Sequence, residues 1–360
     1  MIKLKNESLL RAIWHESLEF TPIWIMRQAG RYLPEYRKIR EKAGSFMALC
    51  KTPDLACEVT LQPLRRFNLD AAILFSDILT IPDAMGLGLE FTEGEGPVFA
   101  RPVRNMEEVK ELIIPDPDVH LYYVLEAIRL IQRELNGKVP LIGFCGSPWT
   151  LACYMVEGRG KTSFSIIQSA IERKEAWLLL LLDKLAKAVS LHLNAQIKAG
   201  VQVVMLFDTW GNILLGEHYQ TYSLYYIQQV IAHLHREYEG QRIPIILYSR
   251  GNRVASMLEL NCDVLGVDWN VNLKEARAQV GNRMALQGNM DPDFLRQSPK
   301  VIQKKVAEIL QEYGPGSGHI FNLGQGITPD ISPDHVAVLV DAVHELSRGY
   351  HRNGHNGAIF

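Results

Sequence analysis

The chain has 360 residues, a formal net charge of −2 at pH 7, 47% hydrophobic residues and 22% charged residues. This composition is typical of a globular protein, and the near-neutral charge excludes a general electrostatic attraction to nucleic acid or to an anionic membrane surface. The length suits one large α/β domain or two small ones, so any strong preference for a charged ligand must be local.

The chain opens with MIKLKNESLLRAIWHE, whose apolar spacing predicts a short amphipathic helix without the apolar segment and cleavage site of a signal peptide. The run WLLLLL at 177–182 is too short to span a bilayer and precedes Asp183 and Lys184, so a buried helix is expected. The five cysteines are an odd number and form no CxxC pair. They indicate a reducing compartment, and we expect a cytoplasmic protein.

Eight short apolar runs, each bounded by Gly, Pro, Ser or Asp, predict β-strands. They are PIWIM (22–26), AAILF (71–75), PLIGFCG (140–146), VQVVMLF (201–207), IPIILY (243–248), VLGVDW (264–269), MALQGN (284–289) and HIFNLG (319–324). Their near-continuous hydrophobicity is typical of parallel strands that are covered on both faces, whereas alternation would indicate a half-exposed sheet.

Helical patterns separate these runs, and they cover 52–67, 174–200, 218–240, 272–281, 291–314 and 332–349. Thr52 and Pro53 are suited to begin the first of these helices, and Gly200 is suited to end the second. The repeated alternation of strand and helix predicts a single distorted (β/α)8 barrel of the TIM type. A doubly wound sheet is the alternative, although no glycine-rich dinucleotide turn follows the first strand.

The barrel domain is predicted to span 1–348, which exceeds the roughly 250 residues that a typical barrel needs. The chain therefore carries insertions, of which the stretch 88–118, rich in Gly and Pro, is the clearest. Residues 349–360 are predicted to form a flexible polar tail.

In a barrel of this kind the ligand site lies at the carboxyl ends of the strands. The side chains at these ends are Arg27, Arg31, Ser76, Asp77, Ser147, Asp208, Thr209, Ser249, Arg250, Asp268, Asn289, Asp291 and Gln325. The two arginines after the first run predict an anion-binding turn, because a guanidinium fork suits carboxylate or phosphate. Gly30 allows the backbone to approach a ligand closely. The alternative is that both arginines pair with nearby acidic residues.

Asp77 follows the second apolar run, and two interpretations are open. Its carboxylate either stabilises positive charge on a ligand at the barrel mouth or only forms a hydrogen bond or ion pair with a backbone turn or an arginine. The sequence contains no HExxH, CxxC or GxxxxGK[ST] motif, so it predicts no metal site and no P-loop. His218, His233 and His235 fall on a predicted helix, where solvated or packed histidines are expected.

Two long motifs, PIWIMRQAGRYLPEYR (22–37) and GFCGSPWTLACYMVEGRG (143–160), closely resemble the signatures of the uroporphyrinogen decarboxylase family. FSDIL, VLGVDW, LQGNMDP and FNLGQG also fit that family in order, and the resemblance covers about residues 4 to 348. It implies a distorted barrel, usually a homodimer, without metal or cofactor. The family removes CO2 from the four acetate side chains of uroporphyrinogen, a small-molecule substrate, on the route to haem. Neither nucleic acid nor a membrane is an expected partner.

The resemblance also implies which residues serve the reaction. Asp77 and Arg27 are the expected catalytic residues. The expected substrate-binding positions are Arg27, Gln28, Ala29, Gly30, Arg31, Asp77, Tyr154, Thr209 and Gln325. The family usually has histidine where this chain has Gln325, which is a departure at a position suited to hydrogen bonding or proton transfer.

The charge of the substrate explains why these residue types suit it. Uroporphyrinogen carries eight carboxylates, and a buried carboxylate needs a hydrogen-bonding cation. Its four pyrrole N–H groups can converge on one ionised carboxylate, Asp77, which offers only acceptors. A fixed aspartate also stabilises the cation that forms when a pyrrole carbon is protonated. The acid is either Arg27, which seldom gives up its proton, or a water or substrate carboxyl that Arg27 holds.

Two other functions are alternatives. Related barrels include corrinoid- or thiol-dependent methyltransferases that use zinc, but these need His and Cys ligands near the later strand ends, where Cys262 stands alone. A non-catalytic tetrapyrrole carrier would need Arg27 and Arg31 but not Asp77.

Overall fold

The computed structural model describes residues 3–92, 96–160, 162–251 and 253–352. The strands lie between residues 72 and 323. They are β1 (Ala72–Ile73), β2 (Leu89–Thr92), β3 (Gly96–Phe99), β4 (Leu141–Gly146), β5 (Val203–Asp208), β6 (Glu237–Tyr238), β7 (Gln241–Arg242), β8 (Ile245–Ser249), β9 (Val264–Gly266), β10 (Ala285–Met290) and β11 (His319–Leu323). Two pairs, β2 with β3 and β6 with β7, are separate antiparallel hairpins.

Helices of very different length follow most of the strands. They are α1 (Ser8–Ile13), α2 (Pro34–Ala43), α3 (Phe46–Lys51), α4 (Pro53–Arg66), α5 (Thr80–Pro82), α6 (Met106–Glu111), α7 (Pro117–His120), α8 (Tyr122–Leu135), α9 (Pro148–Glu157), α10 (Ser165–Glu172), α11 (Ala176–Ala199), α12 (Glu217–Tyr219), α13 (Tyr225–Ala232), α14 (Val254–Met257), α15 (Leu273–Val280), α16 (Pro299–Tyr313) and α17 (Pro333–Arg352).

One parallel sheet forms the wall of a barrel. Its strands follow the order β1-β4-β5-β8-β9-β10-β11, and every neighbouring pair is parallel. The segment 22–26 closes the wall, because Ile23 forms a parallel bridge with Phe321 and accepts a hydrogen bond from the Asp70 backbone N–H at 2.9 Å. All eight predicted runs lie in this wall, so the distorted (β/α)8 barrel is confirmed. The distortion lies at 22–26, which makes a bridge where the other strands make ladders.

Apolar side chains pack on both faces of the wall. Ile142, Met205 and Ile246 point into the barrel interior, where they form one cluster with Leu9 and Ile13 of α1. The short first helix thereby closes the amino-terminal end of the barrel. A second, larger cluster fills the space between the strands and the surrounding helices. Burial on both faces explains why the strands read as continuous apolar runs rather than alternating ones.

The predicted ends of two helices are confirmed. Pro53 occupies the first turn of α4, although the Thr52 hydroxyl donates to the Ala48 carbonyl at 2.7 Å instead of capping the helix. Gly200 ends α11 with a φ of 114°, a left-handed conformation that glycine adopts readily. The run 177–182 lies inside α11, which packs against the barrel. Of the helices that the structure describes, none is both long and apolar enough to cross a membrane.

The helix predicted over 218–240 is too long. Helix α13 ends at Ala232, and the hairpin of β6 and β7 follows. Positive φ angles at Glu239 (48°) and Gly240 (76°) form the hairpin turn, which helical geometry cannot accommodate. His233 and His235 consequently lie beyond the helix, where both are exposed.

The insertion at 88–118 is structured. It begins with the β2–β3 hairpin and continues through α6 into α7. The Phe99 N–H donates to the Gly158 carbonyl at 2.9 Å, which ties the insertion to the end of α9. At the other end of the chain, α17 extends through Arg352, so residues 349–352 of the predicted tail are helical. Residues 353–360 lie outside the described residues.

Candidate active site

Arg27 lies on a strained turn at the end of the first strand segment. Its φ is 65°, in the left-handed region that residues other than glycine rarely adopt. The turn is held by the Gln28 N–H, which donates to the Ile25 carbonyl at 2.8 Å, and by the Ile327 N–H, which donates to the Met26 carbonyl at 3.0 Å. Backbone strain that the surroundings maintain in this way is concentrated at functional sites.

The Arg27 side chain packs on the loop that follows β11. A Cβ atom placed on Gly326 would lie 2.5 Å from the Arg27 Cδ, so only glycine leaves room for this arrangement. The loop carries Gln325, whose side chain is exposed. Arg27 and Gln325 therefore belong to one surface, although nearly 300 residues separate them in the sequence.

Arg27 and Arg31 of the first motif are exposed and available to a ligand. Among the ion pairs of the described residues, none includes Arg27 or Arg31. The Arg31 carbonyl accepts a hydrogen bond from Arg37 Nη1 at 2.8 Å, which fixes the backbone but leaves the Arg31 guanidinium unused. The described part of the chain therefore does not show the pairing with acidic residues that is the alternative explanation of this motif.

Asp77 lies half-buried beyond β1 and keeps one carboxylate oxygen available. Oδ1 accepts a hydrogen bond from the Leu79 N–H at 2.8 Å, whereas Oδ2 has no hydrogen-bond partner among the described residues. Burial raises the pKa of Asp77 above its usual value, and the Leu79 N–H and the Arg27 guanidinium partly oppose that rise. The Arg27 charge is thus close enough to act on the Asp77 carboxyl.

Tyr154 of α9 belongs to the same group. Burial raises the pKa of its hydroxyl, and the charges of both Asp77 and Arg27 act on that hydroxyl as well. Its ring centroid lies 6.1 Å from that of Trp210, which follows β5. The structure therefore brings Arg27, Asp77 and Tyr154 together at the carboxyl ends of the strands.

Thr209 is positioned by a buried network around its neighbour Asp208. The Asp208 carboxylate accepts hydrogen bonds from the Ser147 hydroxyl at 2.6 Å and from the Ser223 hydroxyl at 2.9 Å. The Trp210 N–H donates to the Thr150 hydroxyl at 3.2 Å. Asp208 therefore holds the end of β5 and is buried, whereas Thr209, the next residue on this fixed backbone, is half-buried.

The central residues of the first motif have a different place from the arginines. Gln28 is buried, and its amide accepts from the Ile25 N–H at 3.1 Å and donates to the Ala71 carbonyl at 3.1 Å. Its side chain thus belongs to the barrel wall. At Gly30 a Cβ atom would lie 3.0 Å from the Arg27 carbonyl, so the close backbone approach there is within the turn itself. Ala29 is half-buried beside them. A substrate role for these three residues stays a prediction.

Tyr248 is a site residue that the sequence analysis missed. Its hydroxyl donates to the Gly324 carbonyl at 2.8 Å, which links β8 to the loop that carries Gln325. Gly324 is packed tightly as well, since a Cβ atom there would lie 2.8 Å from the Trp269 backbone nitrogen. No sequence signal identifies this link, because a tyrosine in a buried strand looks like an ordinary core residue.

The cysteines and histidines do not assemble into a metal centre in the described ranges. No group of three or more His, Cys, Asp or Glu side chains there is arranged to hold a metal ion. The five cysteines are free and buried. Burial raises the pKa of the Cys50 thiol, and the Asp77 charge adds to that rise.

The whole chain matches one enzyme family. The model of the uroporphyrinogen decarboxylase family, URO-D, matches residues 4–346. The chain belongs to this family. Curated uroporphyrinogen decarboxylases of Klebsiella pneumoniae subsp. pneumoniae and Escherichia fergusonii are each 56% identical to it over 354 residues, which is 98% of this chain and 100% of theirs. Like other members of the uroporphyrinogen decarboxylase family, the protein is a decarboxylase of porphyrin and haem biosynthesis.

Solved structures support the fold independently of this family. A methyltransferase from Methanosarcina mazei has a TM-score of 0.78 at 20% identity, and the match covers 95% of this chain and 98% of that chain. A B12-independent methionine synthase from Shewanella sp. has a TM-score of 0.53 at 10% identity, with 84% of this chain and 87% of that chain covered. At such low identities the likeness shows that members of the uroporphyrinogen decarboxylase family share a barrel architecture with these proteins.

Proposed function

We propose that the protein removes CO2 from the four acetate side chains of uroporphyrinogen III and gives coproporphyrinogen III, without a cofactor. Asp77 binds the pyrrole N–H groups and stabilises the protonated pyrrole. Arg27 and Arg31 bind substrate carboxylates. Membership of the uroporphyrinogen decarboxylase family supports the reaction, whereas the roles of individual residues are inferred from their geometry and from the resemblance of the motifs.

The observation that carries these roles is the free carboxylate oxygen of Asp77 beside an unpaired Arg27. Asp77 Oδ2 has no hydrogen-bond donor within the described part of the chain, and Arg27 has no acidic partner there. Four converging N–H donors would satisfy the Asp77 carboxylate, and a substrate carboxylate would satisfy the Arg27 guanidinium. A site that contains an acceptor and a cation fits a ligand with central donors and peripheral anions.

For each acetate the chemistry then takes up one net proton and releases one CO2. An acid held by Arg27, either a water or a substrate carboxyl, protonates the pyrrole carbon next to the acetate side chain. The ring cation that forms lies above Asp77, whose negative charge stabilises it in a half-buried site. The bond to the carboxylate breaks, CO2 leaves, and the electron pair of that bond neutralises the ring as an exocyclic methylene. A second proton converts this methylene to a methyl group, and the proton first added to the ring carbon leaves, which restores the pyrrole.

Replacement of Asp77 tests this assignment. Asp77→Asn keeps the shape but replaces an anion by a neutral amide that also donates, and loss of such a preorganised group typically costs roughly 100- to 1,000-fold in turnover. We expect at least that loss of kcat with uroporphyrinogen III, with folding intact. Asp341→Asn, an exposed change on α17, is the matched control. Turnover by Asp77→Asn within about tenfold of the wild type would show that Asp77 does not stabilise the cation.

Chelation tests the independence from a cofactor and separates the methyltransferase alternative. Thiol-activating methyltransferases on related barrels need zinc, whereas the proposed reaction uses only acid catalysis and charge stabilisation. Decarboxylation by the purified protein is expected to survive exhaustive dialysis against a chelator. Loss of the activity on chelation and its return with zinc would favour the zinc-dependent alternative.

We also propose that the protein is a cytoplasmic homodimer that binds neither nucleic acid nor membranes. The five free, buried cysteines support a reducing compartment, and the near-neutral charge gives nucleic acid no general attraction. The homodimer rests on the resemblance to the family. Light scattering after size-exclusion chromatography tests it, and a monomer mass at micromolar concentration would contradict it.

A further inference from the structure

Arg250 follows the last residue of β8 and lies on the rim of the same barrel mouth. Its main chain is fixed by Asp268, whose Oδ2 accepts from the Gly251 N–H at 2.7 Å and whose Oδ1 accepts from the Asn270 N–H at 2.9 Å. Asp268 is buried and uses both carboxylate oxygens on backbone groups. Asp268, which follows the next strand β9, therefore positions the loop and is not free to pair with Arg250.

The Arg250 guanidinium has no acidic partner in the described part of the chain and lies over an aromatic ring. Its Cζ is 5.9 Å from the centroid of the Trp210 ring, and the side chain is half-buried. The Trp210 ring also neighbours Tyr154, at 6.1 Å between ring centroids. Arg250 consequently lies beside the same tryptophan as Tyr154, and its guanidinium donors make no hydrogen bond to the described residues.

The charge of Arg250 acts on a residue that the Arg27 charge also influences. Burial raises the pKa of the Tyr248 hydroxyl, the Asp268 charge adds to that rise, and the charges of Arg250 and Arg27 oppose it. That hydroxyl bonds the Gly324 carbonyl, next to Gln325. Arg250 and Arg27, which have no acidic partners among the described residues, therefore both act on the part of the rim that carries Gln325, where Asp268 uses its two carboxylate oxygens on backbone N–H groups.

We propose that Arg250 is a substrate-binding residue of the decarboxylase, which holds one of the side-chain carboxylates that survive the reaction. This inference rests on the proposed function for the identity of the ligand. A half-buried cation without an acidic partner among the described residues is best satisfied by an anionic ligand, and a guanidinium suits a planar carboxylate through two parallel hydrogen bonds. Because β8 lies three strands from β1 in the wall, Arg250 is on a different side of the mouth from Asp77, and the carboxylate belongs to a side chain distant from the ring that reacts above Asp77.

The experiment compares Arg250→Gln with the wild type in turnover and in equilibrium binding. Loss of a hydrogen bond between charged groups typically weakens binding by roughly tenfold or more. Since the carboxylate is retained, the KM for uroporphyrinogen III and the inhibition constant of coproporphyrinogen III should both rise about tenfold or more, with kcat within about threefold. Fluorescence titration with uroporphyrin and coproporphyrin should show the same weakening without any turnover.

Arg348→Gln is the matched control, because this guanidinium also lies over an aromatic ring, 5.5 Å from the centroid of Phe20, but far from the mouth. Should Arg250→Gln fold poorly, Arg250→Met keeps an apolar stem over Trp210 and is measured instead. Binding of both porphyrins within about twofold of the wild type by the folded variant would overturn the inference. A wild type that binds porphyrins through Arg250 but releases no CO2 would refute the proposed function and leave this inference standing.

Discussion

Asp77 illustrates how a residue placed for function can lower the stability of the fold. Burial raises the pKa of Asp77, so the folded protein holds a proton on this carboxyl more tightly than the unfolded chain does. A carboxyl of this kind favours folding below its unfolded pKa, and that contribution is lost as pH rises through the raised folded pKa. At neutral pH the Asp77 carboxylate therefore costs stability, which is consistent with a group kept for catalysis.

The raised pKa predicts the acid limb of the pH profile. The proposed mechanism needs ionised Asp77, so kcat/KM should fall as pH decreases through the pKa of Asp77 in the free enzyme. Because burial moves this pKa upward, the fall should begin at a higher pH than the usual value of about 3.9 for aspartate allows. Initial rates between pH 4 and 8 measure the limb. A flat profile down to pH 4, with the protein folded, would contradict the role of Asp77.

Replacing Gln325 by the histidine that is usual in the family is expected to change the activity only mildly. Glutamine keeps donor and acceptor capacity but cannot exchange a proton near neutral pH, and its exposed side chain can serve binding. Gln325→His should change kcat/KM by less than about tenfold, which is under roughly 1.4 kcal/mol of transition-state stabilisation. Kinetics of both proteins across pH 5.5 to 8.5 check this. A gain of a hundredfold would indicate that proton transfer at this position matters and that the natural protein is weakened.

At the level of elements, the sequence predicts strands better than it predicts the contacts between their ends. The eight apolar runs were sufficient to place the wall, because strands that are buried on both faces consist of nearly continuous apolar residues. The predicted end of the helix over 218–240 was wrong, because α13 ends at Ala232. The hairpin that follows depends on two positive φ angles, which the helical pattern of the sequence does not indicate. The bond between Tyr248 and Gly324 and the packing of Arg27 on Gly326 join distant segments, so only the folded chain reveals them.

The loop after β11 is expected to set the position of Arg27. In Gly326→Ala the new methyl group would collide with the Arg27 Cδ and Cγ, and the exposed side chain would swing away from Asp77. We expect kcat/KM to fall at least tenfold while the unfolding free energy changes by less than about 1 kcal/mol, as is typical when an exposed side chain relaxes. Urea unfolding and initial rates with uroporphyrinogen III measure the two quantities.

Gly349 of α17 provides the comparison for that variant. A Cβ atom there meets nothing within 4 Å, and alanine is favoured over glycine inside a helix by about 1 kcal/mol. Gly349→Ala should therefore be as active as the wild type and equally or more stable. Full activity in Gly326→Ala would show that the position of Arg27 does not depend on this loop.

The whole molecule separates function at one end of the barrel from closure at the other. Asp70 precedes β1 at the amino-terminal end and is 1% exposed. Its carboxylate accepts hydrogen bonds from Asn6 Nδ2 and from the Ile23 N–H, both at 2.8 Å, and Oδ2 lies 2.8 Å from His344 Nε2 of α17. One side chain thus joins the amino-terminal segment, the closing strand segment and the last helix, which is where the barrel wall makes a bridge instead of a ladder.

Asp70→Ala should therefore destabilise the fold without impairing the chemistry. Breaking a buried, hydrogen-bonded carboxylate partnership typically costs about 3–5 kcal/mol, because Ile23 N–H and His344 lose their acceptor. Urea unfolding should show a lower midpoint with an unchanged m-value, and kcat per folded molecule should stay within about twofold of the wild type. Asp341→Ala, exposed on the same helix as His344, should leave both quantities unchanged. If Asp70→Ala lost turnover while it stayed fully folded, closure of the amino-terminal end would have to be transmitted through the wall to Arg27 and Asp77 at the mouth.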